Sequence, residues 1–297
     1  MAHHFEGAYT VICTPFTEDG KRIDEKALRR HVDWQIEEGV PGLIPLGSTG
    51  EWLSVNDEER TQVISAVVDQ AKGRVPVIAG TAHEWTDRAV RYSREAEKLG
   101  ADGVMVIQPY YSSPTDDELF EHFRRISDAI SIPIMLYNNT RIANVDIKPP
   151  LVARLSQLDN VRYIKEASGD QTRVRDIHRL VGPDKMVVFA RYEAWRLGAK
   201  GWVSVCGNVA PALSAAAYRK TVTENDPQGG KEIYNRLQPI MACIDGDLYV
   251  SGTKAAMDLI GRSMGPPRLP RLPLPAAKVQ VLRGVLQDLG VLAKKAA

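Results

Sequence analysis

Lys165 closes the apolar run Val161-Arg162-Tyr163-Ile164, and that placement is the sharpest chemical signal in the chain. A lysine carried to the end of a buried strand is partly desolvated, which disfavours its ammonium form and lowers its pKa. The free amine can attack a ketone to form a Schiff base, whose protonated imine draws electrons for C–C cleavage or proton abstraction. The plainer reading is a lysine whose stem lies on apolar surface while its head reaches water. Tyr137 ends the run Ile132 to Tyr137. A phenol there can pass protons during imine formation, or it can sit as an amphipathic core residue. Gly47-Ser48-Thr49-Gly50 offers backbone N–H groups and two hydroxyls to a carboxylate or other anion. It is too short for a phosphate-binding P-loop and lacks its lysine. Many strand-to-helix turns are built from the same residue types. Tyr110-Tyr111-Ser112-Ser113-Pro114 reads as an aromatic lid or a packed turn. His31, His83, His122 and His178 show no metal-ligand spacing, so no metal site is assigned.

These side chains need a scaffold that gathers strand ends at one rim. Eight short apolar runs supply the strands: Ala8 to Cys13, Leu43 to Leu46, Val75 to Ala79, Gly103 to Ile107, Ile132 to Tyr137, Val161 to Ile164, Met186 to Phe189, and Trp202 to Cys206. Most lack polar alternation, as strands buried on both faces of a parallel sheet do. Amphipathic stretches between them read as helices. Asp24 to Glu38 spaces Leu28, Val32 and Ile36 on one face, and Asn56-Asp57-Glu58-Glu59 has the acids of a helix start. Thr86 to Leu99, Thr115 to Ile130, Pro149 to Leu158 and Asp170 to Val181 follow. Eight strands with seven helical connections, within about 200 residues, predict an α/β fold of the (β/α)8 TIM-barrel type over residues 1–210. An open doubly wound sheet is the competitor. From Pro211 on, Ala- and Leu-rich stretches predict a helical C-terminal extension over residues 211–297, with Pro266 to Pro273 as a stiff extended connector.

Composition narrows the class. Thirty-eight Lys and Arg against 37 Asp and Glu leave a formal charge of +1 over 297 residues, which argues against a nucleic-acid binder. No apolar run reaches the length of a membrane span, and Met1-Ala2-His3-His4-Phe5-Glu6 lacks the pattern of a secretory leader. Cys13, Cys206 and Cys243 are odd in number and widely spaced, and read as reduced thiols. A cytoplasmic enzyme without membrane or nucleic-acid partners is expected.

Several ordered motifs together resemble the dihydrodipicolinate synthase and N-acetylneuraminate lyase family of Schiff-base aldolases. They are Gly7-Ala8-Tyr9-Thr10 through Thr14-Pro15-Phe16, Gly47-Ser48-Thr49-Gly50-Glu51, Pro109-Tyr110-Tyr111, Leu136-Tyr137-Asn138, and Ile164-Lys165-Glu166-Ala167-Ser168-Gly169-Asp170. Gly201-Trp202-Val203-Ser204-Val205, Asn208-Val209-Ala210-Pro211 and Arg268-Leu269-Pro270 complete the likeness over almost the whole chain. The resemblance implies that Lys165 forms a Schiff base with a 2-keto acid such as pyruvate. It implies a hydroxyl relay of Tyr137, Ser48 in the middle and Tyr111 at the outer end, reaching a neighbouring subunit's site. Ser48, Thr49 and Gly47 would bind the keto-acid carboxylate, and Val205 and Gly207, near the end of the eighth run, would complete the substrate site. No cofactor is implied, and a homotetramer built from two dimers is.

The departures bear on the substrate. Family members that make the lysine precursor carry an arginine five residues after the relay tyrosine, where this chain has Ile142. Arg141 lies one residue earlier, and in a strand-like segment that shift reverses the side chain. Arg191, in the shortened segment Phe189-Ala190-Arg191-Tyr192-Glu193, is a second candidate for a distal carboxylate, or a surface residue paired with Glu193. The expectation is therefore a Schiff-base lyase on a catabolic 2-keto acid, such as a 2-keto-3-deoxy sugar acid or a hydroxyproline-derived cyclic imino acid. The alternative is 4-hydroxy-tetrahydrodipicolinate synthase, condensing pyruvate with aspartate semialdehyde. A non-catalytic barrel that binds a keto acid is the alternative of another class.

Overall fold

The computed structural model describes residues 4–292; Met1-Ala2-His3, part of the segment read for a leader, lies outside them. Strands and helices alternate: β1 (Gly7–Val11), α1 (Glu25–Glu37), β2 (Leu43–Ile44), α2 (Asp57–Ala71), β3 (Ile78–Gly80), α3 (Thr86–Lys98), β4 (Gly103–Ile107) and α4 (Asp116–Ser127). Next come β5 (Ile134–Asn138), α5 (Pro149–Leu155), β6 (Val161–Glu166), α6 (Arg173–Val181), β7 (Val187–Phe189), the single turn α7 (Tyr192–Trp195) and β8 (Gly201–Ser204). After β8 the described residues form helices and no further strand: α8 (Pro211–Tyr218), α9 (Pro227–Cys243), α10 (Tyr249–Leu259) and α11 (Ala276–Leu289). The strands form one sheet in the order β2-β1-β8-β7-β6-β5-β4-β3. That order is cyclic and lacks the reversal of a doubly wound open sheet, so the fold is the (β/α)8 barrel type with a C-terminal helical extension.

By packing, the chain falls into two compact units, residues 4–7 with 76–203 and residues 8–75 with 204–292. The first holds β3 to β7, paired in parallel. Its strands β3, β4, β5 and β7 are buried at every position. Continuous burial explains why the sequence shows apolar runs and no alternation. The second unit pairs Thr10 with Leu43 and Val11 with Ile44. Its helix α2 starts where the acids indicated. Asn56 Oδ1 accepts from Glu59 N at 2.8 Å, and the Glu59 carboxylate accepts from Asn56 N at 3.2 Å.

Strand edges differ from expectation for local reasons. The second run stops at Ile44 because Leu46 takes a left-handed φ of 57°. The eighth stops at Ser204, whose hydroxyl accepts the Gly207 N–H at 3.0 Å and bends the chain into a short 3-10 turn. The sixth runs two residues past Ile164, so Lys165 lies inside a strand, not after one.

Gly201 enters β8 opposite Phe189, and an added Cβ would sit 2.3 Å from Phe189 Cε1. Phe189 is fully buried, so its ring has nowhere to retreat. Gly201→Ala is expected to cost about 1–3 kcal/mol through overpacking, read as a lower denaturant midpoint. An unchanged midpoint would show that the ring can yield.

Candidate active site

The register of β5 on β6 sets Tyr137 opposite Lys165 and Asn138 opposite Glu166. Alternation sends the first pair to one face of the sheet and the second pair to the other. Lys165 is half-buried, and its Nζ lies 3.8 Å from the centroid of the Tyr137 ring. Among the described residues no carboxylate forms an ion pair with it. Tyr137 is 5% exposed, and its hydroxyl accepts from Asn139 Nδ2 at 2.9 Å, which orients the phenol beside the amine. An amine without a counter-ion next to an oriented phenol is the pair that imine formation needs.

A fully buried lysine is a contrast. Lys254, on α10, is 1% exposed, its ammonium 2.7 Å from Glu51 Oε1 and 3.0 Å from the Pro266 carbonyl it donates to. Burial pushes its pKa down while Glu51 works against that shift. Bound to a carboxylate and sealed from solvent, Lys254 is no nucleophile; it is an anchor. Glu51 Oε2 also accepts from Arg268 N at 2.9 Å. Arg268 then places its five guanidinium N–H bonds on Glu59 at 2.5 and 2.6 Å and on the carbonyls of Gly20, Ser54 and Lys21. That satisfies the whole side chain. The stiff connector of the sequence reading is thus pinned to the Glu51 end of the Gly47–Gly50 turn.

That turn is bracketed by Leu46 and Glu51, both left-handed, with φ of 57° and 53°. A side chain in that region costs about 1–2 kcal/mol, so the conformation persists because its surroundings impose it. Thr14 Oγ1 donates to the Gly50 carbonyl at 2.6 Å, and a Cβ on Gly50 would lie 3.0 Å from Leu46 N. Ser48 is half-buried, while Gly47 and Thr49 are buried. Val205 gives its carbonyl to Asn208 Nδ2 at 2.9 Å, and the Gly207 N–H is engaged by Ser204.

The other candidates sit in exposed segments. Tyr111 is 84% exposed, with its backbone held: Glu84 accepts the N–H groups of Tyr110, Tyr111 and Ser112 at 2.8, 3.1 and 2.8 Å. Asn144 Nδ2 donates to the Tyr111 carbonyl at 2.7 Å. Residues 139–143 form a turn, with the N–H groups of Ile142 and Ala143 both donating to the Asn139 carbonyl. The expectation of a strand there is overturned, and with it the argument that Arg141 must point away from where position 142 points. Adjacent side chains on a helical turn diverge by about 100°, not 180°. Both Arg141 and Ile142 are exposed. Arg191 is exposed ahead of α7 and makes no ion pair with Glu193.

Sequence reasoning overlooked Lys254, Glu51 and Arg268 as a network. The legible signal was a lone lysine amid Thr253, Ala255, Ala256 and Met257. Cys13 and Cys206 are free and buried, and burial pushes their thiols up to about 12 and about 11. Among the described residues no group of three or more His, Cys, Asp or Glu is placed to hold a metal ion, and no helix is long and apolar enough to cross a membrane.

A cyclic parallel sheet with an amine and a phenol in register at its strand ends defines an enzyme of the class I, Schiff-base lyase type. The chain belongs to the dihydrodipicolinate synthetase family, whose model matches residues 4–289. It is 39% identical over 295 residues to the 4-hydroxy-tetrahydrodipicolinate synthase of Nitrobacter hamburgensis, covering 97% of this chain and 98% of that one. The crystal structure of dihydrodipicolinate synthase from Thermotoga maritima superposes with a TM-score of 0.92 at 32% identity, covering 98% of this chain and 100% of that one. The chloride-inhibited enzyme of Acinetobacter baumannii, crystallised with pyruvate, gives 0.90 at 32% identity, covering 97% and 99%. These relatives do not support the catabolic sugar-acid lyase expected from Ile142; they favour the alternative.

The Glu51–Lys254 pair makes a stability prediction. Lys254→Met leaves Glu51 buried without its cation and is expected to cost about 3–5 kcal/mol in denaturant unfolding. The double variant with Glu51→Gln should recover part of that loss. A single variant as stable as the parent would remove the pair from the account.

Proposed function

We propose that the chain is a 4-hydroxy-tetrahydrodipicolinate synthase that condenses pyruvate with aspartate semialdehyde. The observation that carries the Schiff-base step is the unpaired amine of Lys165, 3.8 Å from the Tyr137 ring. Kinship along 97% of the chain to proteins named for that synthase supports the choice of substrates.

Lys165 Nζ adds to C2 of pyruvate, and water leaves as the imine forms, with Tyr137 passing the proton that the departing oxygen needs. Loss of a C3 proton to the hydroxyl relay gives the enamine, whose C3 attacks the aldehyde carbon of the semialdehyde, and the aldehyde oxygen takes a proton back from the relay to become a hydroxyl. The semialdehyde's own amine then adds to C2 and displaces Lys165 Nζ, which closes the ring and returns the free enzyme. Ser48 and Thr49, with the Gly47 backbone, take the pyruvate carboxylate, and Ser48 and Tyr111 extend the hydroxyl relay. Arg141 takes the carboxylate of the semialdehyde, which the turn at 139–143 permits. A guanidinium is the side chain suited to hold a carboxylate by two parallel bonds. The 84% exposure of Tyr111 in the single chain fits a residue that completes a neighbour's site, and we propose a tetramer of two dimers.

Incubation with pyruvate and borohydride, read by intact mass, is expected to leave one adduct on Lys165 and none in Lys165→Ala. Tyr137→Phe is expected to slow turnover by roughly 10²- to 10⁴-fold; a loss under about threefold would retire its role. Pyruvate with aspartate semialdehyde, read by product mass against a panel of 2-keto acids given alone, should yield the condensed product. Cleavage of a lone 2-keto acid, with no condensation, would overturn the synthase reading in favour of the lyase.

A further inference from the structure

Behind the reacting pair, on the opposite face of β5 and β6, lies a polar cluster that the proposed chemistry does not use. Asn138 is fully buried and makes four side-chain hydrogen bonds. Its Oδ1 accepts from Gln108 Nε2 at 3.2 Å and from Ile147 N at 3.0 Å. Its Nδ2 donates to Asp146 Oδ1 and to Glu166 Oε2, both at 3.0 Å. Gln108 Nε2 also donates to the Val145 carbonyl at 3.0 Å. Arg173, at the start of α6, grips Asp146 with two bonds of 2.6 and 2.7 Å and lies 4.0 Å from Glu166.

All of these bonds that touch the loop after β5 touch residues 145–147. The near end of that loop is fixed by the strand itself, and Asn139 ties it to the Tyr137 hydroxyl. The exposed tip, with Arg141 and Ile142, hangs between the two anchors. Asn144 extends the same loop to the Tyr111 carbonyl.

We propose that Asn138, Asp146 and Arg173 are positioning residues: they clamp the far end of the 139–147 loop so that its tip is held for the carboxylate of the second substrate. This rests on the synthase reading for the identity of that substrate, while the clamp itself is a statement about the loop. A buried side chain that makes all its bonds holds one geometry, because any other leaves a polar group unpaired. Placement of Arg141 therefore comes from side chains on the far face of the sheet, with no contact to the substrate.

Asp146→Ala removes the acceptor shared by Asn138 and Arg173 at a half-buried loop position, where the fold has no core packing to lose. The variant loses three hydrogen bonds, two from Arg173 and one from Asn138. Amide hydrogen exchange over residues 140–147 is expected to speed by about tenfold or more, since the net worth of even one charge-assisted bond is of that order. The KM for aspartate semialdehyde should rise by roughly the same factor, while borohydride trapping of the pyruvate adduct stays within about threefold. Asp146→Asn keeps one acceptor for Asn138 and should fall between the two. Exchange unchanged in Asp146→Ala overturns the clamp, and so does an equal rise in KM for both substrates, which marks a general structural defect. If the parent chain traps no pyruvate adduct, the Schiff-base reading fails, and faster or unchanged exchange at 140–147 still upholds or overturns the clamp.

Discussion

The register between β5 and β6 is the constraint on which the site depends. Pairing Tyr137 with Lys165 brings an amine and a phenol to the same face, and the hydrogen bonds of two central strands fix that distance. A slip of one residue would send Lys165 to the other face and bring Glu166 in its place. The continuous burial of β4 and β5 makes such a slip expensive, because polar side chains on the far face would lose their partners. Asn138 and Glu166 are joined across the same two strands, so the cluster that holds the loop also locks the register that holds the amine.

The second unit meets a similar demand by different means. A turn with two left-handed residues flanking Gly47–Gly50 does not hold itself, since each such residue is strained. Its Glu51 end is held by a buried ammonium and by the backbone of a proline-rich connector whose arginine spends every donor on fixed acceptors. This explains why a chain of this fold class carries charged side chains in its interior. Buried ion pairs add little net stability compared with apolar packing, and their use here is to define one conformation of a strained loop. Buried Lys254 and half-buried Lys165 therefore differ in what faces them, a carboxylate for Lys254 and an aromatic ring for Lys165.

Much of the candidate site is legible from local pattern. Lys165 at the end of a β-branched run, Tyr137 at the end of another, and the Gly-Ser-Thr-Gly turn all announce themselves through residue type against a predictable strand background. The loop after β5 was misread, because Thr140 to Val145 has no feature that separates a turn from an extended segment in one dimension. What decides it is the Asn139 carbonyl accepting from Ile142 and Ala143, a short-range closure that the residue types permit without requiring. The choice of substrate rests on Ile142 at the arginine position, and strand alternation supported it by turning Arg141 away, an argument that a turn removes.

Strand number, the buried character of the sheet, the helix starts at Asn56 and Thr115, and the candidate lysine at a strand end were determined by the sequence by itself. Each follows from interactions among residues a few positions apart: apolar continuity, capping and propensity. Only the tertiary structure decided that Tyr137 pairs with Lys165, that Lys254 is neutralised by Glu51 two hundred residues away along the chain, and that Asp146 reaches Asn138 and Arg173 together. Partners distant in sequence are chosen by how buried polar groups find complements once the strands and helices have packed. That choice depends on three-dimensional closure and leaves no periodic trace in the order of residues.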